Sequence, residues 1–132
     1  MPRGAQSTRE QIGPWLRDYE RAWRSEGAAA LREIFAADAS YRLSPYDDPV
    51  VGLDAIAAMW EREREGPDEK FTMVSDVVAV DGDTAVVRVE VRYGGPPVQE
   101  YRDLWVVRLD RDGRCRAFEE WPFWPGQPLT PR

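Results

Sequence analysis

The stretch FTMVSDVVAVDGDTAVVRVEVRY, residues 71–93, decides the fold of this 132-residue chain. Strand-favouring residues fill both halves, and Asp81-Gly82 between them is a strong signal for a tight hairpin turn. Two similar runs follow, with Asp112-Gly113 between them, and Gly94-Gly95-Pro96-Pro97 is a looser turn that joins the two pairs. The pattern predicts four successive strands, at residues 71–80, 84–93, 99–109 and 114–122.

The chain before this region has a helical pattern. Its apolar residues recur at helical spacing in three segments: Ile12, Trp15, Leu16, Tyr19, Ala22 and Trp23, then Ala28, Leu31, Ile34 and Phe35, then Leu53, Ile56, Met59 and Trp60. Pro14 requires the first helix to start near Gly13 or to bend there, and Gly66-Pro67 ends the third. Residues 41–52 form a structured loop after a short strand. We therefore expect an α+β fold, with helices packed on one face of a curved antiparallel sheet that encloses a cone-shaped pocket.

Composition narrows the classes of function. We expect one domain at residues 12–124, between a flexible tail (residues 1–11) and a proline-rich tail (residues 125–132). The net charge of −6 argues against nucleic-acid binding, and no apolar run is long enough for a membrane span or signal peptide, so we expect a cytoplasmic protein. The chain has no His and one Cys, which excludes His-based catalysis, zinc sites of His or Cys, and an internal disulfide. Acid–base chemistry would fall to Asp, Glu, Tyr, Arg or Lys70, without a cofactor.

Asp103 is the first candidate for that chemistry. In the predicted strand 99–109 the odd positions carry the larger and more aromatic residues, which suits the concave side of the sheet. Asp103 would then lie between Tyr101 and Trp105, where loss of hydration raises the pKa of a carboxyl group toward useful values. The alternative is a solvated Asp103 near a strand end, or one paired with an Arg.

Several motifs in residues 12–124 resemble the SnoaL-like branch of the nuclear transport factor 2-like superfamily. They are Trp15-Leu16-x-x-Tyr19-x-x-Ala22-Trp23, Ser44-Pro45-Tyr46-x-x-Pro49-x-x-Gly52, Leu104-Trp105-Val106-Val107-Arg108 with Asp112-Gly113-Arg114, and Phe118-x-Glu120-Trp121. The resemblance implies a cone-shaped fold and a homodimer, but the superfamily holds isomerases, cyclases, hydrolases and binding domains. Ketosteroid isomerases of this fold have a pocket acid on the matching strand, but alignment of the turn places it at Trp105.

The resemblance to limonene-epoxide-hydrolase-like members implies a second candidate site. Those proteins carry Arg-x-Asp and a second Asp where this chain has Arg88, Glu90 and Glu120, and a Tyr at the position of Tyr41. One carboxylate would activate water, the other would protonate the epoxide, and the Arg would hold them in different protonation states. Leu43 stands where those hydrolases have an Asn. Alternatively, Arg88 and Glu90 belong to the solvent face of a half-buried strand.

The pocket walls are expected to be aromatic: Tyr19, Trp23, Tyr41, Tyr46, Trp60, Tyr101, Trp105 and Phe118, although any of these can be plain core instead. Cys115 is expected to be a half-buried, inert thiol. Trp121, Phe123 and Trp124 would close the mouth of the cone or contact a partner subunit. Together these features predict a small, largely apolar ligand and, if the protein is catalytic, isomerisation, cyclisation or epoxide opening. The alternative is a non-catalytic ligand-binding or dimerisation module.

Overall fold

A computed structural model describes residues 7–25, 27–63, 70–94 and 99–128. In chain order the elements are α1 (Thr8–Arg24), α2 (Leu31–Ile34), β1 (Phe35–Arg42), β2 (Val50–Val51), α3 (Leu53–Glu63), β3 (Phe71–Asp81), β4 (Thr84–Tyr93), β5 (Gln99–Leu109) and β6 (Cys115–Trp121). The expected helix stop at Gly66-Pro67 and most of the turn at residues 94–97 lie outside the described residues. Among these residues no helix is long and apolar enough to cross a membrane.

The first helix begins earlier than the sequence pattern indicated. Ser7 caps it: its Oγ accepts from Glu10 N (3.2 Å), while Oε1 of Glu10 accepts from Ser7 N (3.1 Å), so two backbone donors of the first turn are satisfied. Pro14 therefore lies inside α1 and not at its start. Residues 8–11, expected in a flexible tail, are helical because this capping box holds them.

The six described strands form one sheet in the order β2-β1-β6-β5-β4-β3. Strands β3 to β6 pair antiparallel with their chain neighbours, as the hairpin signals predicted. The expectation of a wholly antiparallel sheet is wrong at one place, because β1 pairs with β6 in parallel. β1 enters the sheet from α2 without a hairpin, so its direction is not set by a turn. It also begins at Phe35, which the helical spacing had assigned to α2.

The core lies between the helices and the concave face of the sheet. On β4 the residues Ala85, Val87 and Val89 are fully buried, whereas Arg88 and Glu90 are exposed on the convex face. From the helical side, Trp15 donates a hydrogen bond from Nε1 to the backbone oxygen of Ile34 (2.8 Å), which joins α1 to α2. One face of the sheet therefore contributes to the interior, and the other is available to solvent or a partner.

Candidate active site

A cavity of about 270 Å³ opens between the helices and the concave face of the sheet. It is close to the lower end of the range of roughly 300–1,000 Å³ usual for ligand sites, which indicates a small ligand. Its described lining residues come from α1, α3, the strands β1 and β3 to β6, and the positions just after β1 and β6, and they are mostly apolar or aromatic. They are Tyr19, Trp23, Tyr41, Leu43, Met59, Glu63, Phe71, Met73, Val91, Tyr93, Tyr101, Asp103, Trp105, Glu120 and Pro122.

Asp103 lies on the concave side of β5, as the alternation predicted, and is only 5% exposed. Trp105 Nε1 approaches its Oδ2 at 3.4 Å, and the nearby backbone N–H of Phe123 also favours the ionised form of this carboxyl group, which lowers its pKa. Burial raises the pKa of Asp103, while the hydrogen bonds from neighbouring groups work in the opposite direction. The alternative of a solvated or Arg-paired Asp103 is therefore not what the structure shows.

Glu120 joins Asp103 at the cavity wall. It lies directly across from Trp105 in the β5–β6 pair, so its side chain points to the same face as that of Asp103. The two carboxyl groups are within hydrogen-bonding reach of each other. Burial, followed by the charge of Asp103 and the hydrogen bond with it, raises the pKa of Glu120 well above its usual value. Because Asp103 has additional donors, the pair favours a proton on Glu120 and a charge on Asp103.

Arg88 and Glu90 do not belong to this site. Both side chains lie on the convex face, where Arg88 is 3.7 Å from Asp76 and Glu90 is 3.3 Å from Arg102. Their neighbours on β4 are the buried valines, and strand alternation turns the two charged residues away from the interior. The expected Arg88, Glu90 and Glu120 group is therefore not assembled, and the solvent-face alternative describes the first two residues correctly.

A pair of tyrosines forms the other polar feature of the cavity. The hydroxyl oxygens of Tyr19 and Tyr41 are 2.8 Å apart, and both residues are buried. Burial raises the pKa of both hydroxyls well above 10. The charge of Glu120 acts in the same direction on each of them, which places the tyrosine pair close to the carboxyl pair.

The structure divides the remaining aromatic candidates into three groups. Trp23, Tyr101 and Trp105 line the cavity together with the tyrosine pair. Trp60 and Phe118 are buried in the core and pack against the lining residue Tyr19, at ring-centroid distances of 5.1 and 5.8 Å. Tyr46 is 99% exposed on the loop before β2, so its expected place in the wall is wrong.

The sequence pattern of apolar residues did not identify several of the residues that line the cavity. Glu63 ends α3, and its charge contributes to the raised pKa of Glu120. Met59 and Met73 could not be recognised as lining residues from the sequence, because apolar residues at such positions of a helix and a strand usually belong to the core. The sequence did offer a signal for Tyr93, because it alternates with Val89 and Val91 on the face of β4 that points inward.

The last described segment and the cysteine complete the surroundings of the site. Pro122 reaches the cavity, but Phe123 and Trp124 are about half exposed, so they do not fill its mouth. Phe123 instead accepts a backbone hydrogen bond from Arg102 N (2.9 Å), which continues the strand pairing past β6. Cys115 is fully buried, and burial raises its pKa to about 12, which makes the thiol unreactive.

The described residues do not bring together a cluster of His, Cys, Asp or Glu that could hold a metal ion. None of the lining residues identified above is Lys or Arg. The chemistry that this arrangement offers is proton transfer between an ionised and a protonated carboxyl group, next to two hydroxyls and in largely apolar surroundings.

Comparison with known proteins identifies the family. Similar solved structures include a protein designated a SnoaL-like polyketide cyclase from Jannaschia sp. CCS1 (20% identity, 92% of this chain and 90% of that chain, TM-score 0.72). Another is designated a ketosteroid isomerase, from Kribbella flavida DSM 17836 (20% identity, 93% and 84%, TM-score 0.63). A third is the epoxide hydrolase/cyclase-like enzyme SalBIII of pyran ring formation in salinomycin (14% identity, 88% and 90%, TM-score 0.67). These likenesses concern the fold, and no curated protein matches the chain. The profile of the SnoaL-like domain matches residues 16–118, and the chain therefore belongs to the SnoaL-like family.

Proposed function

We propose that this protein binds a small, largely apolar molecule in its cavity and catalyses a cofactor-free acid–base reaction on it. The observation that carries the proposal is the contact between two inward-facing carboxyl groups, Asp103 and Glu120, at the cavity wall. Carboxyl groups that pack together without a basic partner are costly in a folded protein. Their presence at the cavity supports a functional role.

The two carboxyl groups would have different roles. The N–H of Phe123 and the indole of Trp105 favour the ionised form of Asp103, so Asp103 acts as the general base. Burial and the neighbouring charge favour the protonated form of Glu120, so Glu120 acts as the general acid. A base and an acid at one wall suit isomerisation, cyclisation or epoxide opening, because each of these moves a proton off one atom and onto another.

Assays of small substrates test this proposal. Styrene oxide and limonene oxide report epoxide opening, and 3-cyclohexenone reports isomerisation of a double bond. We expect the wild type to turn over at least one of these, and Asp103→Asn and Glu120→Gln to lower its rate by about 10²–10⁴-fold. Glu90→Gln is the matched control, because it removes a carboxylate from the convex face and should leave the rate unchanged.

The same assays separate the enzyme from the alternative. Turnover that survives both cavity substitutions would contradict the assigned roles of Asp103 and Glu120. Ligand binding that survives both substitutions, with no turnover by the wild type, would favour a non-catalytic ligand-binding or dimerisation module. A rate that depends on Glu90 would contradict the placement of the site.

We also propose a homodimer formed through the convex face of the sheet. Leu104 and Trp121 are direct cross-strand neighbours on that face, and both are partly exposed. Sedimentation equilibrium should give twice the chain mass of 15.2 kDa, and Trp121→Glu should shift the equilibrium to monomer. A wild-type monomer at micromolar concentration would contradict this. The cytoplasmic location stays a prediction, and cell fractionation tests it.

A further inference from the structure

Among the described residues, the acidic side chains that line the cavity have no Lys or Arg beside them in its wall. Glu63, Asp103 and Glu120 line the cavity, and the identified lining residues include no Lys or Arg. On the convex face acids do find such partners, as Glu90 does with Arg102 (3.3 Å). The described part of the wall therefore carries the negative charges of Asp103 and Glu63 without a Lys or Arg that would balance them, and a cationic ligand would supply the missing positive charge.

Asp103 provides an independent sign of a missing donor. Its side chain is 95% buried and lines the cavity, yet its Oδ1 has no hydrogen-bond partner among the described residues when both carboxyl groups are ionised. A buried acceptor without a donor costs free energy, and more so when it is charged. In the empty cavity, a proton on Glu120 supplies a hydrogen-bond donor to Asp103 Oδ1. In the occupied cavity, an N–H group of the ligand would supply that donor.

The aromatic walls suit the same kind of ligand. Trp23, Tyr93, Tyr101 and Trp105 line the cavity around the acidic groups. The faces of such rings attract cations, and the attraction strengthens when water is excluded. A neutral hydrocarbon would pack against the rings but would not compensate the negative charge of the acidic groups. An anion would be repelled by that charge.

We propose that the molecule bound in this cavity is a small hydrophobic amine in its protonated form. This rests on the proposed function and narrows its substrate class. The ammonium group faces Asp103 and Glu120, and the hydrocarbon part lies among the aromatic rings. The cavity volume of about 270 Å³ limits that part to roughly a single ring system.

Three compounds of similar size and different charge test the proposal: benzylamine, benzyl alcohol and phenylacetate at pH 7. Trp23 and Trp105 line the cavity, so quenching of tryptophan fluorescence reports binding. We expect benzylamine to bind at least about tenfold more tightly than benzyl alcohol, and phenylacetate to bind most weakly. In Asp103→Asn, which removes the ionised carboxylate, the preference for the amine should fall toward unity, whereas Glu120→Gln replaces a protonated group and should largely keep the preference. Glu90→Gln removes one negative charge from the convex face, as Asp103→Asn does from the cavity, and should keep the preference.

The outcomes separate this inference from the proposed function. Equal binding of amine and alcohol, tighter binding of phenylacetate, or an unchanged preference in Asp103→Asn would overturn the amine ligand and leave an apolar ligand standing. Failure of all three compounds to bind the wild type would count against both proposals. If a variant does not fold, the ranking of the three compounds by the wild-type protein decides alone.

Discussion

The buried tyrosine pair gives a prediction whose size follows from the structure. The hydroxyls of Tyr19 and Tyr41 are 2.8 Å apart, and the two residues are 6% and 2% exposed. Replacing either by Phe keeps the ring packing but leaves the other hydroxyl without this partner, which should cost about 1–3 kcal/mol. Tyr41→Phe should be the costlier change, because the Trp60 side chain also interacts with the Tyr41 hydroxyl.

The double variant is the decisive measurement. With both hydroxyls removed, no acceptor or donor of the pair remains unsatisfied, so the double change should cost about 1 kcal/mol less than the sum of the single changes. Urea unfolding followed by tryptophan fluorescence gives all four free energies, and 1 kcal/mol corresponds to about 4 °C in Tm for a domain of this size. Tyr46→Phe is the control, since that side chain is 99% exposed. Additive single changes would refute the pairing.

Three further predictions concern charge and reactivity. Burial raises the pKa of Glu120 above its value of about 4.3 in the unfolded chain. The protonated form therefore stabilises the fold fully below about pH 4, and this stabilisation is lost as the pH rises through the pKa of the folded state. Glu120→Gln should therefore gain stability over the wild type as the pH rises, and a difference in urea midpoints that stays constant with pH would contradict this. Cys115, with its pKa of about 12, should react with iodoacetamide at pH 8 only as fast as the protein opens, and faster labelling would show an accessible thiol. In the monomeric Trp121→Glu background, Arg88→Ala and Glu90→Ala should change the free energy of unfolding by less than about 0.5 kcal/mol, since both residues lie in exposed ion pairs of the single chain; a larger loss in chemical denaturation would contradict that exposure.

Local signals determined how much of the fold could be predicted. Strands β4 and β5 occupy the predicted residues 84–93 and 99–109, because their turn chemistry and alternation are both read from neighbouring residues. The parallel pairing of β1 with β6 joins segments about 75 residues apart and leaves no comparable trace in sequence. The capping box at Ser7 was readable, but the polar composition around it suggested a tail.

The site, too, could be predicted where the signal is local. The alternation of residues on β5 was enough to predict that Asp103 faces the cavity. On β6 it fails, because Arg116 is an extra residue: Leu109 pairs with Cys115, whereas Arg108 pairs with Ala117. Counting from the buried Cys115 would turn Glu119 toward the cavity, and the bulge turns Glu120 there instead. The resemblance to hydrolases had pointed to Glu120 but joined it to the wrong strand.

The open edge of the sheet at β3 has a consequence for behaviour at high concentration. This strand is 11 residues long and, among the described strands, hydrogen-bonds only to β4, so one row of its backbone groups faces outward. Such a row is a template for aggregation, and the exposed Val74 and Val78 add apolar surface to it. Val78 is also the extra residue of a bulge, which interrupts the straight run, and Asp76 adds an exposed charged side chain to this edge strand. The bulge and the carboxylates of this strand therefore oppose fibril-like stacking.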